Sequence, residues 1–239
     1  MKWHIGCSGF YYKHWKGVFY PDKLPQTKWF PYYCEHFNTL ELNNTFYSFP
    51  KVKSLSKWYT DSPTDFVFTV KAHRIITHYK QFHNTIDTVN ELYHIVSDSL
   101  QEKLGPVLFQ MPPKFAYTEE RLERILTNLN PKFNNVVEMR HESWWKPEIY
   151  NELSKHQISF CGMSHPTLPN DVIQNTDTLY YRLHGNQQLY SSAYTTAELH
   201  KLDKKVKATD AKQAFIYFNN DIGASAIYNA RELKDIAKA

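Results

Sequence analysis

The sequence predicts a single (β/α)8 TIM-type barrel spanning residues 1–239. Three observations carry that reading: eight short apolar runs with strand character, helix-like segments between most of them, and a length of 239 residues, which suits one large domain. No Gly/Ser-rich linker, short-period repeat or low-complexity tract divides the chain. An open doubly wound sheet is the competing architecture. Neither GxGxxG nor GxxxxGK[ST] follows any strand, so its usual nucleotide-binding forms lose support.

The elements follow in order. HIGCS (4–8) is the first strand, and WKGVFYP (15–21) after it is a folded loop. Its Trp15 and Tyr20 either close the top of the barrel or pack within it. TKWFPYYCEHF (27–37) is a helix candidate interrupted by Pro31. TLELNN (39–44) is the second strand, SLSKWYT (54–60) a short helix candidate, and FVFTVKA (66–72) the third strand. His78 and His83 in HYKQFHN lie five apart, which is not the spacing of a helical metal pair, so the stretch reads as loop surface.

TIDTVNELYHIVSDSLQEKL (85–104) places Ile86, Val89, Tyr93, Val96 and Leu100 on one stripe, with Thr85 as the expected N-cap. PVLFQM (106–111) is the fourth strand, ended by Pro112 and Pro113, which cannot continue a ladder. In TEERLERILTNL (118–129), Glu119 and Glu120 occupy the first turn, where the helix dipole favours anions. NVVEMR (135–140) is the fifth strand. PEIYNELSKH (147–156) opens on a proline, as first turns tolerate. ISFCGM (158–163), LYYRLHG (179–185) and AFIYFNN (214–220) complete the strands. TTAELHKLDKKVKA (195–208) and ASAIYNARELKDIAKA (224–239) are helices, and Lys201 to Lys207 form a solvated basic face.

Composition narrows the function classes. Net charge is +4, mild enough to suit an anionic ligand without demanding nucleic acid. Aromatic residues make up 16%, enough to build cores and to suggest a ring-lined cleft. Cys7, Cys34 and Cys161 are scattered and odd in number, which fits neither a disulfide framework nor a zinc ribbon and leads us to expect a reducing, cytoplasmic setting. MKWHIGCSGF lacks the apolar core of a signal peptide, and no apolar run approaches the roughly 20 residues of a membrane span. Cys7 reads as a small buried thiol, since no adjacent base is visible.

In NNVVEMRHESWW (134–145) a buried strand passes directly into Glu138, Arg140, His141 and Glu142. In a barrel of this type the chemistry gathers at the C-terminal strand ends. Residues two apart share a face of a strand. The strand ends then offer Ser8, Glu41 and Asn43, Lys71 and His73, Gln110, Glu138 and Arg140, Arg182 and His184, and Asn219 or Asn220. Strand six offers little beyond Ser164. Unpaired buried charge costs several kcal/mol, so so many ionisable groups at strand ends point to one polar pocket. His141 belongs to its rim and Trp144 (or Trp145) to its wall. The structural alternative is that Glu41 and Glu138 simply pair with Arg140 and Arg182.

Several motifs also carry a resemblance: IGCSGFYYKHWKGVFYP (5–21), LELNNTFYSFP (40–50), FVFTVKAHRIITH (66–78), LGPVLFQMPPKF (104–115), VVEMRHESWW (136–145), YYRLHG (180–185), and YFNND with AIYNA (217–221, 226–230). In this order they resemble the YecE-like family, domain of unknown function 72. Cys7 departs from the small residue usual there. The resemblance implies a TIM-type barrel but no reaction, and no catalytic residue is carried over from it.

The residues themselves suggest an enzyme acting on an anionic, phosphate- or carboxylate-bearing small molecule. Arg140, Arg182 and Lys71 would contact the anion, with Asn43, His73, Gln110, His141, Trp144 and Asn219 around it. His184 would exchange a proton with Glu138 or Glu41. Arg182→Ala or Glu138→Gln is then expected to abolish binding at little cost in stability. A metal-dependent hydrolase or isomerase would use Glu41, Glu138, His184 and His73 as ligands, although HxH and HExxH spacings are lacking. A glycosidase would pair Glu41 with Glu138. A non-catalytic ligand- or nucleic-acid-binding protein is less favoured. No particular cofactor is implied.

Overall fold

The computed structural model describes residues 1–238. Eight parallel strands form one sheet: β1 (Lys2–Cys7), β2 (Thr39–Leu42), β3 (Val67–Lys71), β4 (Leu104–Gln110), β5 (Asn135–Glu138), β6 (Ile158–Ser164), β7 (Thr178–Leu183) and β8 (Gln213–Phe218). Their order, β1-β8-β7-β6-β5-β4-β3-β2, brings the first two strands to opposite ends of the sheet. A lone bridge between Ser8 and Glu41, with the Gly9 N–H donating to the Glu41 carbonyl at 2.9 Å, closes the ring into a TIM-type barrel. The closure is tight: a Cβ on Gly6 would lie 2.5 Å from the Thr39 carbonyl oxygen.

Eight α-helices surround it: α1 (Trp29–His36), the single turn α2 (Asn44–Tyr47), α3 (Val52–Asp61), α4 (Ile86–Leu100), α5 (Glu119–Asn128), α6 (Pro147–Lys155), α7 (Thr196–Lys207) and α8 (Ser225–Lys238). None of the described helices is long and apolar enough to cross a membrane. Pro31 does not interrupt α1. It sits third in the helix, in the first turn, where its missing N–H has no intrahelical partner to lose. Thr85 precedes α4 without capping it, and its hydroxyl donates to Asn128 Oδ1 on α5 at 2.8 Å. Thr118 caps α5 by accepting from the Arg121 N–H. Thr195 and Glu198 form a capping box on α7 that sequence analysis overlooked.

Strand alternation splits the side chains. Outward residues pack under the helices in the main core. Trp15 and Tyr20 belong there too, with Tyr20 stacked 4.6 Å from Trp29, so they are packing residues. Inside the barrel, Leu108, Val136, Cys161, Tyr180, Phe215 and Tyr217 fill the lower part. Above them, the Thr39 and Thr69 hydroxyls meet Tyr217 Oη at 2.5 and 3.0 Å. This filled interior turns polar towards the C-terminal strand ends.

Candidate functional site

The polar end of the barrel is built around Arg182 from β7. Its Nη2 donates to Glu41 Oε1 of β2 at 2.6 Å, and its Nη1 to Glu138 Oε2 of β5 at 2.6 Å. Ser8 Oγ hydrogen-bonds Glu41 Oε1, and Tyr180 Oη donates to Glu41 Oε2 at 2.5 Å. Arg140, just past β5, donates through Nε to Glu138 Oε1 and lies 2.9 Å through Nη2 from His184 Nε2. Four strands thus contribute to a hydrogen-bonded chain running Ser8–Glu41–Arg182–Glu138–Arg140–His184, with Asn219 beyond it, 3.0 Å from His184 Nδ1.

Electrostatics fix the charges. Burial alone would raise the Glu138 pKa, but Arg140 and Arg182 outweigh it and hold the carboxyl well below the usual range. Burial, reinforced by Arg140 and Arg182, holds His184 well below its ordinary value, so its ring is neutral. A neutral imidazole carries one N–H, yet Asn219 Nδ2 and Arg140 Nη2 both face it as donors. Both contacts are satisfied when the Asn219 amide turns its oxygen to an Nδ1–H and Nε2 accepts from Arg140. Expected proton exchange between Glu138 and His184 therefore meets an obstacle: neither holds a mobile proton, and both hold Arg140.

Lys71 ends β3 in a different state. Its Nζ lies 4.2 Å over the Phe46 ring and makes no hydrogen bond among the described residues. Burial first, then Arg182, depresses its pKa to about 7, against the opposing pull of Glu138 and Glu41. Residue exposure divides the cluster: Glu41, Glu138, Arg182 and His184 are 0% exposed, whereas Lys71 and Arg140 are 9% and 8%. No partner is found for Arg140 Nη1 among the described residues.

The other predicted residues are placed as follows. Gln110 pairs in register with Glu138 and is half-buried beside it. Asn43 follows β2 and its Oδ1 is buried without a partner. His73 is set apart: its Nδ1 accepts from the Ile75 N–H, its ring faces Phe49, and Arg74 is its charged neighbour. His141 accepts from the Ser143 N–H and caps a short turn. Trp144 is no pocket wall. It is fully buried, stacked 5.6 Å from Phe115, and donates to the Phe115 carbonyl at 2.7 Å.

Two further histidines lie near the cluster: His165, absent from the strand-end reading, and His78, expected on loop surface but half-buried in a helical turn. The π-helical turn Ile75–Tyr79 turns His78 towards Phe46, at 4.9 Å, and burial, Lys71 and Arg140 lower its pKa to about 4. His165 lies 6.2 Å from His184, ring to ring, and burial and Arg140 bring its pKa likewise to about 4. The His78–His83 spacing gave no signal, because a π-turn does not follow helical periodicity. Tyr180, two residues before Arg182 on β7, was not among the expected strand-end residues because it lies mid-strand.

The alternative chemistries face the same geometry. Among the described residues no three His, Cys, Asp or Glu side chains converge to hold a metal. The two glutamates are joined through Arg182, whose guanidinium lies where a shared cation would sit. A glycosidase acid needs a raised carboxyl pKa, and Glu138 is shifted the opposite way.

Comparison with known proteins places this geometry in a family. Residues 4–239 match the profile described as "Protein of unknown function DUF72". The UPF0759 protein YunF of Bacillus subtilis is 25% identical over 91% of this chain and 89% of its own length. The UPF0759 protein YecE of Escherichia coli O157:H7 is 32% identical over 59% of this chain, and the match spans 50% of that protein. A DUF72 family crystal structure from Thermotoga maritima superposes with a TM-score of 0.91 over 100% of both chains at 27% identity. One from Enterococcus faecalis gives 0.85 at 19% identity, over 99% of this chain and 96% of that one.

Proposed function

This chain belongs to the DUF72 family, and from that premise and the geometry above we propose that it is an enzyme acting on a small anionic molecule at the C-terminal end of the barrel. Lys71 and Arg140 contact the anion. The Glu41–Arg182–Glu138 chain is the fixed frame that aims them. His184, locked by Asn219, holds Arg140 in register. Gln110 and Asn43 offer amides at the edge.

One observation carries this reading. Of the charged groups at this end of the barrel, Arg140 and the separate Lys71 keep slight exposure, and both are cations with donors lacking a protein partner among the described residues. Two carboxylates face two guanidiniums and an amine, so the cluster bears one excess positive charge when Lys71 is protonated. A guanidinium and an ammonium with so little exposure to water favour a phosphate or carboxylate as partner. The amine also titrates near pH 7, which suits the exchange of a proton with the bound molecule.

Calorimetric titration with inorganic phosphate and a panel of small phosphate and carboxylate esters tests this. Arg140→Met and Lys71→Met should each weaken binding about ten-fold or more, as expected for loss of a charged hydrogen bond. Lys132→Ala, far from the strand ends, should leave it unchanged. Equal affinity in all three variants would reject the reading.

A further inference from the structure

A cleft of about 510 Å3 opens beside the C-terminal ends of β1 and β2, and none of the ion-network residues lines it. Its walls are rings: Phe10 and Tyr11 from the loop after β1, Tyr47 from α2 and Trp58 from α3. Tyr11 and Tyr47 are 53% and 66% exposed, although tyrosine rings ordinarily gain by burial. Both are nevertheless held. Tyr11 Oη donates to Gln26 Oε1 at 2.5 Å, and the Arg74 guanidinium lies 5.7 Å from the Tyr47 ring centroid. Both rings therefore offer exposed aromatic surface to the cleft.

The remaining lining gives the ligand its character. The amides of Asn43 and Asn44 stand at the cleft, and Asn43 Oδ1, itself buried, has no hydrogen-bond partner among the described residues. Lys57 and Asp61 neutralise each other at 2.6 Å, so the cleft favours an uncharged group over a second anion. Flat walls with amide edges suit a heterocycle carrying its own donors and acceptors better than a plain phenyl ring. The volume falls within the range of small-molecule sites, roughly 300–1,000 Å3.

Cleft and ion network share their supports. Asn43 stands two residues beyond Glu41 on the same segment. Tyr12, which lines the cleft, donates through Oη to the carbonyl of Ser8 at 2.6 Å, and the Ser8 side chain is bonded to Glu41. We propose that the cleft receives the flat heterocycle of the same ligand whose anionic group meets Lys71 and Arg140, which makes that ligand a nucleoside monophosphate by chemistry. This rests on the anion-site reading above. The sugar would pass over the tops of β1 and β2, between the two sites.

Calorimetry with adenosine monophosphate, adenosine and inorganic phosphate separates the two claims. The wild-type protein should bind the monophosphate more tightly than either fragment. Tyr47→Ala removes a mostly exposed ring and should weaken the monophosphate and adenosine about five-fold or more, the scale of one stacking contact, while sparing phosphate. Trp58→Ala should act in the same direction. Lys71→Met should weaken the monophosphate and phosphate while sparing adenosine. A monophosphate that binds no better than phosphate, or is unaffected by Tyr47→Ala, overturns this inference and leaves the anion site standing. Phosphate binding indifferent to Lys71→Met, with adenosine still sensitive to Tyr47→Ala, overturns the anion site and with it the joint ligand.

Discussion

Arg182 Nη1 donates to Glu138 Oε2 at 2.6 Å, with both side chains wholly removed from solvent. The other half of the same guanidinium holds Glu41. Removing it would leave Glu41 with no cation among the described residues and Glu138 with Arg140 alone, both in the barrel interior. Arg182→Met should therefore destabilise the fold by about 3–5 kcal/mol in urea unfolding. Adding Glu41→Gln and Glu138→Gln to that variant should recover part of the loss. The sequence alone suggested a small stability cost for Arg182→Ala. Complete burial reverses that expectation, because no water can solvate the charges left behind.

Acid should unpick the same network. The folded-state pKa of Glu138 lies well below the ordinary glutamate value of 4.5, so the unfolded chain binds the proton more readily. The stabilisation is fully present above about pH 4.5 and is lost as pH falls through the folded pKa. The urea midpoint should decline from pH 5 downwards, and Glu138→Gln should flatten that decline. An equal slope in the two proteins would contradict it.

Lys71 has the opposite sense. Its folded pKa near 7 lies below the 10.5 of an ordinary lysine. Below pH 7 the amine is charged in both states and the full burial penalty applies. Between pH 7 and 10.5 the unfolded chain binds more protons, so stability from this group rises with pH. Lys71→Met should accordingly raise the thermal midpoint more at pH 6 than at pH 9.5. Ligand affinity should run the other way in the wild type, tightest below pH 7 and weaker as the amine loses its proton.

Barrel closure offers a further test. A Cβ on Gly6 would approach the Thr39 carbonyl oxygen to 2.5 Å, where the backbone of β2 cannot yield. Gly6→Ala should cost about 1–3 kcal/mol, as overpacking does. Because β1 and β2 are joined by a lone bridge, amide exchange should quicken first in those two strands.

Conservative exchange at Arg140 should not be tolerated at the site. One guanidinium reaches Glu138 through Nε and His184 through Nη2. A lysine presents a single point charge and cannot span both. Arg140→Lys should fold with near wild-type stability yet bind the anion about ten-fold more weakly by calorimetry.

What the sequence by itself determined is the ladder of the fold. Apolar runs such as NVVE and AFIYF can be buried only as strands flanked by helices, and period-two alternation put Glu41, Glu138 and Arg182 on one side of their strands. Hydrophobic pattern is local, so it can be read from neighbours in the chain. What only the tertiary structure decided is which of those groups meet and in which protonation state. Glu138 and His184 looked like a proton-transfer pair; they lie 3.6 Å apart, but Arg140 binds both and favours an ionised carboxyl and a neutral ring. Lys71 looked like an ordinary cation until burial lowered its pKa. Trp144 looked like a wall until its ring was found stacked on Phe115. Charge state and accessibility depend on groups as far as 174 residues apart, as between Arg182 and Ser8, and on how much water the closed barrel excludes, which no run of neighbouring residues encodes.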